Sequence, residues 1–232
     1  MVNISGKWAL VTGSSRGIGM RVATALAENG CKVILHSRKL ESTKPIMEKL
    51  QGKGFDVYAL EAELSNIDEV EKLITEVKSI TNDQLDILYN NAAIMTTYRN
   101  LYEPAFEEYQ QSFLINSIVP AKLCDAFLPG MIFRNWGRIV NVTSGIKEEP
   151  QLMPYSCSKA ALDRYVRDMV PTLKGTNVLM NLLDPDWLRT DLGGPHAPNH
   201  PDSVLPGALV PVLLEQKEGS GKLYKAQDYR SK

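Results

Sequence analysis

Short apolar runs alternate with longer amphipathic segments along almost the whole chain. That alternation is the pattern of βαβ units, and it restricts the chain to an α/β fold on a parallel sheet. The runs from Trp8 to Thr12, Val33 to His36, Asp56 to Leu60, Leu85 to Tyr89, Arg138 to Val142 and Val178 to Leu183 read as strands, with Lys222 to Lys225 as a seventh. Between them, Ile18 to Asn29 repeats apolar residues at helical spacing and stops at Gly30; Asn66 to Ile80 repeats Ile67, Val70, Leu73, Ile74 and Val77. Further helices are predicted over Leu40 to Leu50, from about Pro104 to Phe127 despite Pro120, from Tyr155 to Leu173, and from Gly207 to Leu214. Pro195, Pro198, Pro201 and Pro206 predict an exposed loop from Gly193 to Pro206. No repeat, low-complexity tract or linker divides the sequence, so one doubly wound domain is expected over residues 1–232.

Charge narrows the partners. The 26 Lys and Arg against 27 Asp and Glu leave a net charge of −1, too even for non-specific nucleic-acid binding or a polybasic membrane surface. No apolar stretch approaches the roughly 18 residues of a spanning helix. Cys31, Cys124 and Cys157 form neither a CxxC site nor a disulfide framework. Reduced thiols and an N-terminus without leader features lead to the expectation of a cytoplasmic protein.

The first strand runs into Thr12-Gly13-Ser14-Ser15-Arg16-Gly17-Ile18-Gly19 and then directly into a helix. Gly13 lets the chain leave the strand in a tight turn. Gly17 and Gly19 remove β-carbons where backbone approaches a pyrophosphate and where helix packs on strand. The N–H groups and positive dipole end of the helix then face the phosphates. At the end of the second strand, where such folds place an acidic residue for the ribose hydroxyls, stands His36-Ser37-Arg38-Lys39 with no carboxylate. A guanidinium suits a 2′-phosphate, so Arg38, with Arg16 as a second cation, favours NADP over NAD.

Tyr155 and Lys159 are i and i+4 on the predicted helix and project from one face. An ammonium about 4 Å from a phenol, at an effective dielectric of 20, offers about 4 kcal/mol toward the phenolate before desolvation. That is enough to bring a phenol with a pKa of about 10 into the range of a general acid/base. Upstream, Val140-Asn141-Val142-Thr143-Ser144 ends a strand with hydroxyls where open α/β sheets bind ligands, and Ser144 can hydrogen-bond a substrate carbonyl. Asn90-Asn91-Ala92-Ala93 ends the fourth strand, and Asn116 lies in the long helix that follows.

Taken in order, TGSSRGIG, NNAA, Asn116, VNVTS, YSCSK and the later Pro-x-x-x-x-Thr resemble the short-chain dehydrogenase/reductase family over nearly the whole chain. The resemblance implies a Rossmann-type sheet of seven parallel strands and a tetrad of Asn116, Ser144, Tyr155 and Lys159. Tyr155 would be the acid/base and Lys159 would lower its pKa and hold the nicotinamide ribose. Ser144 would polarise the carbonyl and Asn116 would hold a water of a proton relay. Cofactor contacts would come from Gly13, Ser15, Arg16, Gly17, Ile18, Gly19, Arg38, Glu63, Leu64, Asn91, Ala92, Pro185, Leu188 and Thr190, besides Tyr155 and Lys159. The family's members form dimers or tetramers, so a homodimer or homotetramer is expected.

The chain departs from the family in places. Ala93 replaces the last glycine of Asn-Asn-Ala-Gly, Leu64 stands where Asp is commoner, and Pro185-Asp186 replaces Pro-Gly, which would put a carboxylate beside the nicotinamide. None of these removes a tetrad residue. The function expected is NADPH-dependent interconversion of an alcohol with a ketone, aldehyde or 3-oxoacyl group, as in carbonyl reductases and β-ketoacyl-carrier-protein reductases. The competing reading is a dinucleotide-binding sensor or scaffold of the same fold without turnover. No metal is expected, because prolines around His196 and His200 deny them a common helix face; Cys157 reads as packing.

Overall fold

β1 (Trp8–Val11) passes through the glycine turn into α1 (Gly17–Glu28) and returns as β2 (Lys32–Ser37). The structure, a computed structural model, describes residues 1–98 and 100–230. Two more units follow: α2 (Leu40–Gln51) with β3 (Val57–Glu61), and α3 (Ile67–Thr81) with β4 (Ile87–Asn90). Local chemistry ends these helices where the sequence predicts. The Asn66 side chain accepts from the Asp68 N–H at 3.1 Å at the start of α3, Asp68 and Glu69 complement its dipole, and Asn82 closes it with φ 51°.

α4 (Phe106–Phe113) and α5 (Val119–Phe133) are joined by one wide π-turn over Leu114–Ile118. The sequence predicts one long helical stretch to about Phe127 despite Pro120; it does run on through Pro120, but the structure widens one turn and carries it to Phe133. Pro120 has no N–H to give the carbonyl of Asn116, and widening the ladder for one turn accommodates the ring without ending the helix. β5 (Gly137–Val142), α6 (Met153–Leu173), β6 (Val178–Asp184) and β7 (Leu223–Lys225) complete the chain's main elements.

All seven strands form one sheet in the order β3-β2-β1-β4-β5-β6-β7, and every pairing is parallel. Alternate residues serve opposite faces. Ala9, Val11, Val33 and Leu35 pack with α1 and α2, while Leu10, Ile34, Leu88 and Ile139 pack with α3, α5 and α6. Each fully buried Leu or Ile contributes about 1.5–3 kcal/mol. The strand order reverses between β1 and β4, which opens a crevice at their C-terminal ends.

Two expectations near the C-terminus need correction. The predicted α-helix from Gly207 to Leu214 is a 3-10 helix over Gly207–Val212, because Pro211 inside it lacks the donor an α-helix needs. The predicted exposed loop from Gly193 to Pro206 folds back on the core. Ala197 is 2% exposed and Val204 fully buried, and Leu188 bridges Asn199 in parallel pairing. Among the described residues no helix is long and apolar enough to cross a membrane.

Candidate active site

The glycine turn is held from below by side chains that leave its upper N–H groups open. Gly13 has φ 64° and Gly17 φ 57°, both left-handed conformations that favour glycine. A β-carbon on Gly19 would lie 2.4 Å from the Gly13 carbonyl oxygen, so α1 starts this close to β1 only as glycine. The Thr12 hydroxyl accepts from the N–H groups of Asn91 and Ala92, each at 3.0 Å. Asn91 Nδ2 donates to the carbonyls of Thr12 and Gly13. No side chain caps α1 at Arg16, so the first-turn N–H groups, with Ser15, Arg16 and Ile18 around them, are available to an anion. The site therefore fits the pyrophosphate of a dinucleotide.

Just beyond β2, Arg38 is exposed and makes no ion pair among the described residues. Arg16 differs: its Nε lies 3.0 Å from Asp191 Oδ2, so a phosphate must compete with that carboxylate for it. Glu63 Oε1 accepts from the Ser65 N–H at 3.0 Å, and Leu64 is buried at the end of the β3–α3 connection.

The tetrad residues meet at the C-terminal ends of β4 and β5. Tyr155 and Lys159 are 5% and 3% exposed. The Tyr155 and Ser144 hydroxyls hydrogen-bond each other, and Ser144 Oγ also accepts from the Ile146 N–H at 3.2 Å. Lys159 Nζ donates to the Val142 carbonyl at 2.7 Å and stands 5.9 Å from the Tyr155 ring centroid. That geometry changes the electrostatics expected from the i,i+4 spacing. Burial pushes the Tyr155 phenol up, with the Ser144 hydrogen bond opposing the rise and Asp184 adding to it. Burial also pulls Lys159 down to about 8, against the raising charge of Asp163.

Asn116 is fully buried in the π-turn. Its Oδ1 accepts from the Ile94 N–H at 2.9 Å, and its Nδ2 donates to the Ile94 carbonyl and to Ser158 Oγ, each at 3.0 Å. The amide is thus spent on structure, and a water would have to be held by the Asn116 carbonyl, to which Pro120 cannot donate.

Beyond β6, the Pro185 carbonyl accepts from Gln227 Nε2 at 2.8 Å. Leu188 is buried, and the Thr190 side chain lies over Gly17, 3.6 Å from where a β-carbon would be. The carboxylate of Asp186 was expected beside the nicotinamide; instead it turns to its own loop. Its Oδ1 accepts from the Trp187 N–H at 2.7 Å and its Oδ2 from Asn199 at 3.3 Å.

The short chain dehydrogenase model matches residues 7–200. The uncharacterized oxidoreductase YvrD of Bacillus subtilis is 37% identical over 185 residues, covering 78% of this chain and 69% of that protein. Dehydrogenase/reductase SDR family member 4 of Mus musculus is 34% identical over 189 residues, 81% of this chain and 67% of its own. The solved 3-oxoacyl (acyl-carrier-protein) reductase of Agrobacterium tumefaciens with NADP bound superimposes with a TM-score of 0.86 at 26% identity, covering 96% of this chain and 93% of that one. The chain belongs to the short chain dehydrogenase family.

A short chain dehydrogenase with Asp in the Pro-Gly position needs a residue that tolerates φ 65°, the value at Asp186. Asp does so because its carboxylate accepts from the next N–H. Three residues around this short chain dehydrogenase site escaped the sequence reading. His36 is 1% exposed; its Nδ1 accepts from the Gly13 N–H and its Nε2 donates to the Ala62 carbonyl, each at 3.1 Å. Asp163 accepts from the Thr143 hydroxyl at 2.5 Å, and Asp184 abuts Gly145. Asp163 was findable, since it stands four residues beyond Lys159 on the same helix face. The partners of His36 and Asp184 come from other strands, and no local pattern names them.

Proposed function

We propose that this chain is an NADP-dependent oxidoreductase that interconverts a carbonyl compound and its alcohol. The observation that carries the reading is the hydroxyl pair of Ser144 and Tyr155 beside a buried Lys159, one crevice away from an uncapped, glycine-lined helix start. A bound nicotinamide dinucleotide supplies the hydride. The turn residues Gly13, Ser15, Gly17, Ile18 and Gly19 would hold its pyrophosphate, with Arg38 and a released Arg16 on the 2′-phosphate. Glu63 and Leu64 would border the adenine, Asn91 and Ala92 the adenosine ribose, and Pro185, Leu188 and Thr190 the nicotinamide side. The NADP carried by the Agrobacterium reductase supports the choice of nucleotide.

The substrate carbonyl oxygen accepts hydrogen bonds from Ser144 and Tyr155. As negative charge develops there, Ser144 shares it and Tyr155 transfers its proton. The raised phenol is protonated at neutral pH, the state an acid needs for reduction. Lys159, held by Val142, presents the ammonium that stabilises the resulting phenolate. The Asn116 carbonyl would hold the water that returns the proton. Substituting Tyr155→Phe removes the proton donor alone. It is expected to cut NADPH-dependent turnover by about a hundredfold to ten-thousandfold with NADPH binding, followed by fluorescence, retained. Turnover of the variant at the rate of the unaltered protein would refute the assignment.

A further inference from the structure

β6 ends in a carboxylate that is only half satisfied. Asp184 is 7% exposed. Its Oδ1 accepts the N–H of Asp186 at 2.9 Å, and among the described residues nothing donates to its Oδ2. That oxygen keeps some contact with solvent, since it is not one of the buried side-chain oxygens left without a partner, and a ligand that covers it without donating strips its water for nothing in return. The nearby cations do not pair with it. Lys159 is turned to the Val142 carbonyl, and Lys225, the register partner of Asp184 on β7, forms no ion pair with it.

The direction of that oxygen is fixed by a glycine. A β-carbon on Gly145 would lie 2.6 Å from Asp184 Oδ2, so the carboxylate leans from β6 across the end of β5 onto the residue directly after Ser144. No side chain at 145 stands between it and the place where a carbonyl compound meets Ser144 and Tyr155. Its charge is felt there, since it is one of the influences that raise the Tyr155 phenol.

We propose that Asp184 is a substrate-recognising residue whose free Oδ2 takes a hydrogen bond from a hydroxyl or ammonium group close to the reacting carbonyl, making hydroxy- and amino-ketones the preferred substrates. The inference rests on the oxidoreductase reading above and adds the substrate class to it. A donor bound there replaces the water on that oxygen. A plain ketone of the same shape leaves it buried and unpaired, and a site built to receive a hydrogen bond rejects the analogue that lacks it.

Hydroxyacetone, aminoacetone and butanone differ in one terminal group: hydroxyl, ammonium or methyl. With NADPH, the unaltered protein is expected to favour the first two over butanone by at least about tenfold in kcat/KM. Asp184→Ala is expected to bring both ratios to within about threefold of one. Asp184→Asn keeps an acceptor for the Asp186 N–H and is expected to retain the hydroxyl preference while losing the ammonium one. NADPH affinity, read by fluorescence titration, shows that each variant is folded; if the Ala variant is not, the Asn variant decides. Equal kcat/KM for all three compounds in the unaltered protein, or ratios unmoved by both substitutions, would overturn the inference alone. No turnover of any of the three by a protein that binds NADPH would strike the oxidoreductase reading, and this inference with it.

Discussion

His36 offers a quantitative test of how the glycine turn is held. Its ring bridges the Gly13 N–H and the Ala62 carbonyl, which requires a neutral imidazole with the proton on Nε2. Its backbone is tied to the same turn, because the His36 N–H donates to Ser14 Oγ at 2.9 Å and its carbonyl accepts from the Ser14 N–H at 2.9 Å. A second ring proton would face the Gly13 N–H in a site that is only 1% exposed. Burial accordingly pulls His36 from 6.5 down to about 4, with the Ala62 hydrogen bond and the charge of Glu63 opposing the fall. Between those values the unfolded chain holds a proton that the native protein refuses. Stability due to His36 is therefore complete above 6.5 and is lost as the pH falls toward about 4. A shift of this size corresponds to about 3 kcal/mol in all, most of it gone by about pH 4.5. Urea unfolding of the unaltered protein and of His36→Gln across this range isolates the contribution, because the other titrating groups are common to both. The stability of the unaltered protein relative to the variant is expected to shrink by about 2.5 kcal/mol between about pH 7.5 and about pH 4.5. A difference independent of pH would refute the assigned tautomer and the role of the ring in the turn.

Four further substitutions probe the cofactor side and the departure from Pro-Gly. Arg38→Ala removes a charge-assisted pair worth about 1.5–3 kcal/mol and is expected to weaken NADPH binding by roughly tenfold to a hundredfold with NADH binding unmoved; Asp191→Ala frees Arg16 from an exposed pair and is expected to tighten NADPH binding at most about fivefold. Both are read as Kd for the two nucleotides. At Asp186, Asp186→Ala is expected to cost about 1–2 kcal/mol in urea unfolding through the left-handed φ, while Asp186→Gly stays within about 1 kcal/mol of the unaltered protein.

The burial of Tyr155 and Lys159 gives this site a particular balance. The phenol is pushed up and the ammonium down, so the two move apart in proton affinity and neither is charged cheaply. Asp163 works against the loss of the Lys159 charge, and Lys159 in turn lowers Asp163, whose carboxyl burial otherwise raises. The carboxylate on the next turn of α6 thus helps keep the lysine protonated where the chemistry asks for it.

The strands, the glycine turn and the pairing of Tyr155 with Lys159 were legible in the amino-acid order alone, because each depends on neighbours along the chain. Helical and strand periods, the left-handed freedom of Gly13 and Gly17, and one helical turn between two side chains are all local properties. What the order left undetermined depends on which distant segments the sheet brings side by side. Pro120 was visible, yet the π-turn it occupies depends on the packing around it. Asn116 was visible, yet only the approach of Ile94 consumes its amide. Arg16 reads as a phosphate ligand until Asp191 pairs with it, and the loop from Gly193 to Pro206 reads as exposed until its Val204 meets the core. His36 found Gly13, and Asp184 found Gly145, through strands that are neighbours in the sheet. Burial then set their chemistry, since the same imidazole in water would have no fixed tautomer and the same carboxylate would not be aimed onto Gly145.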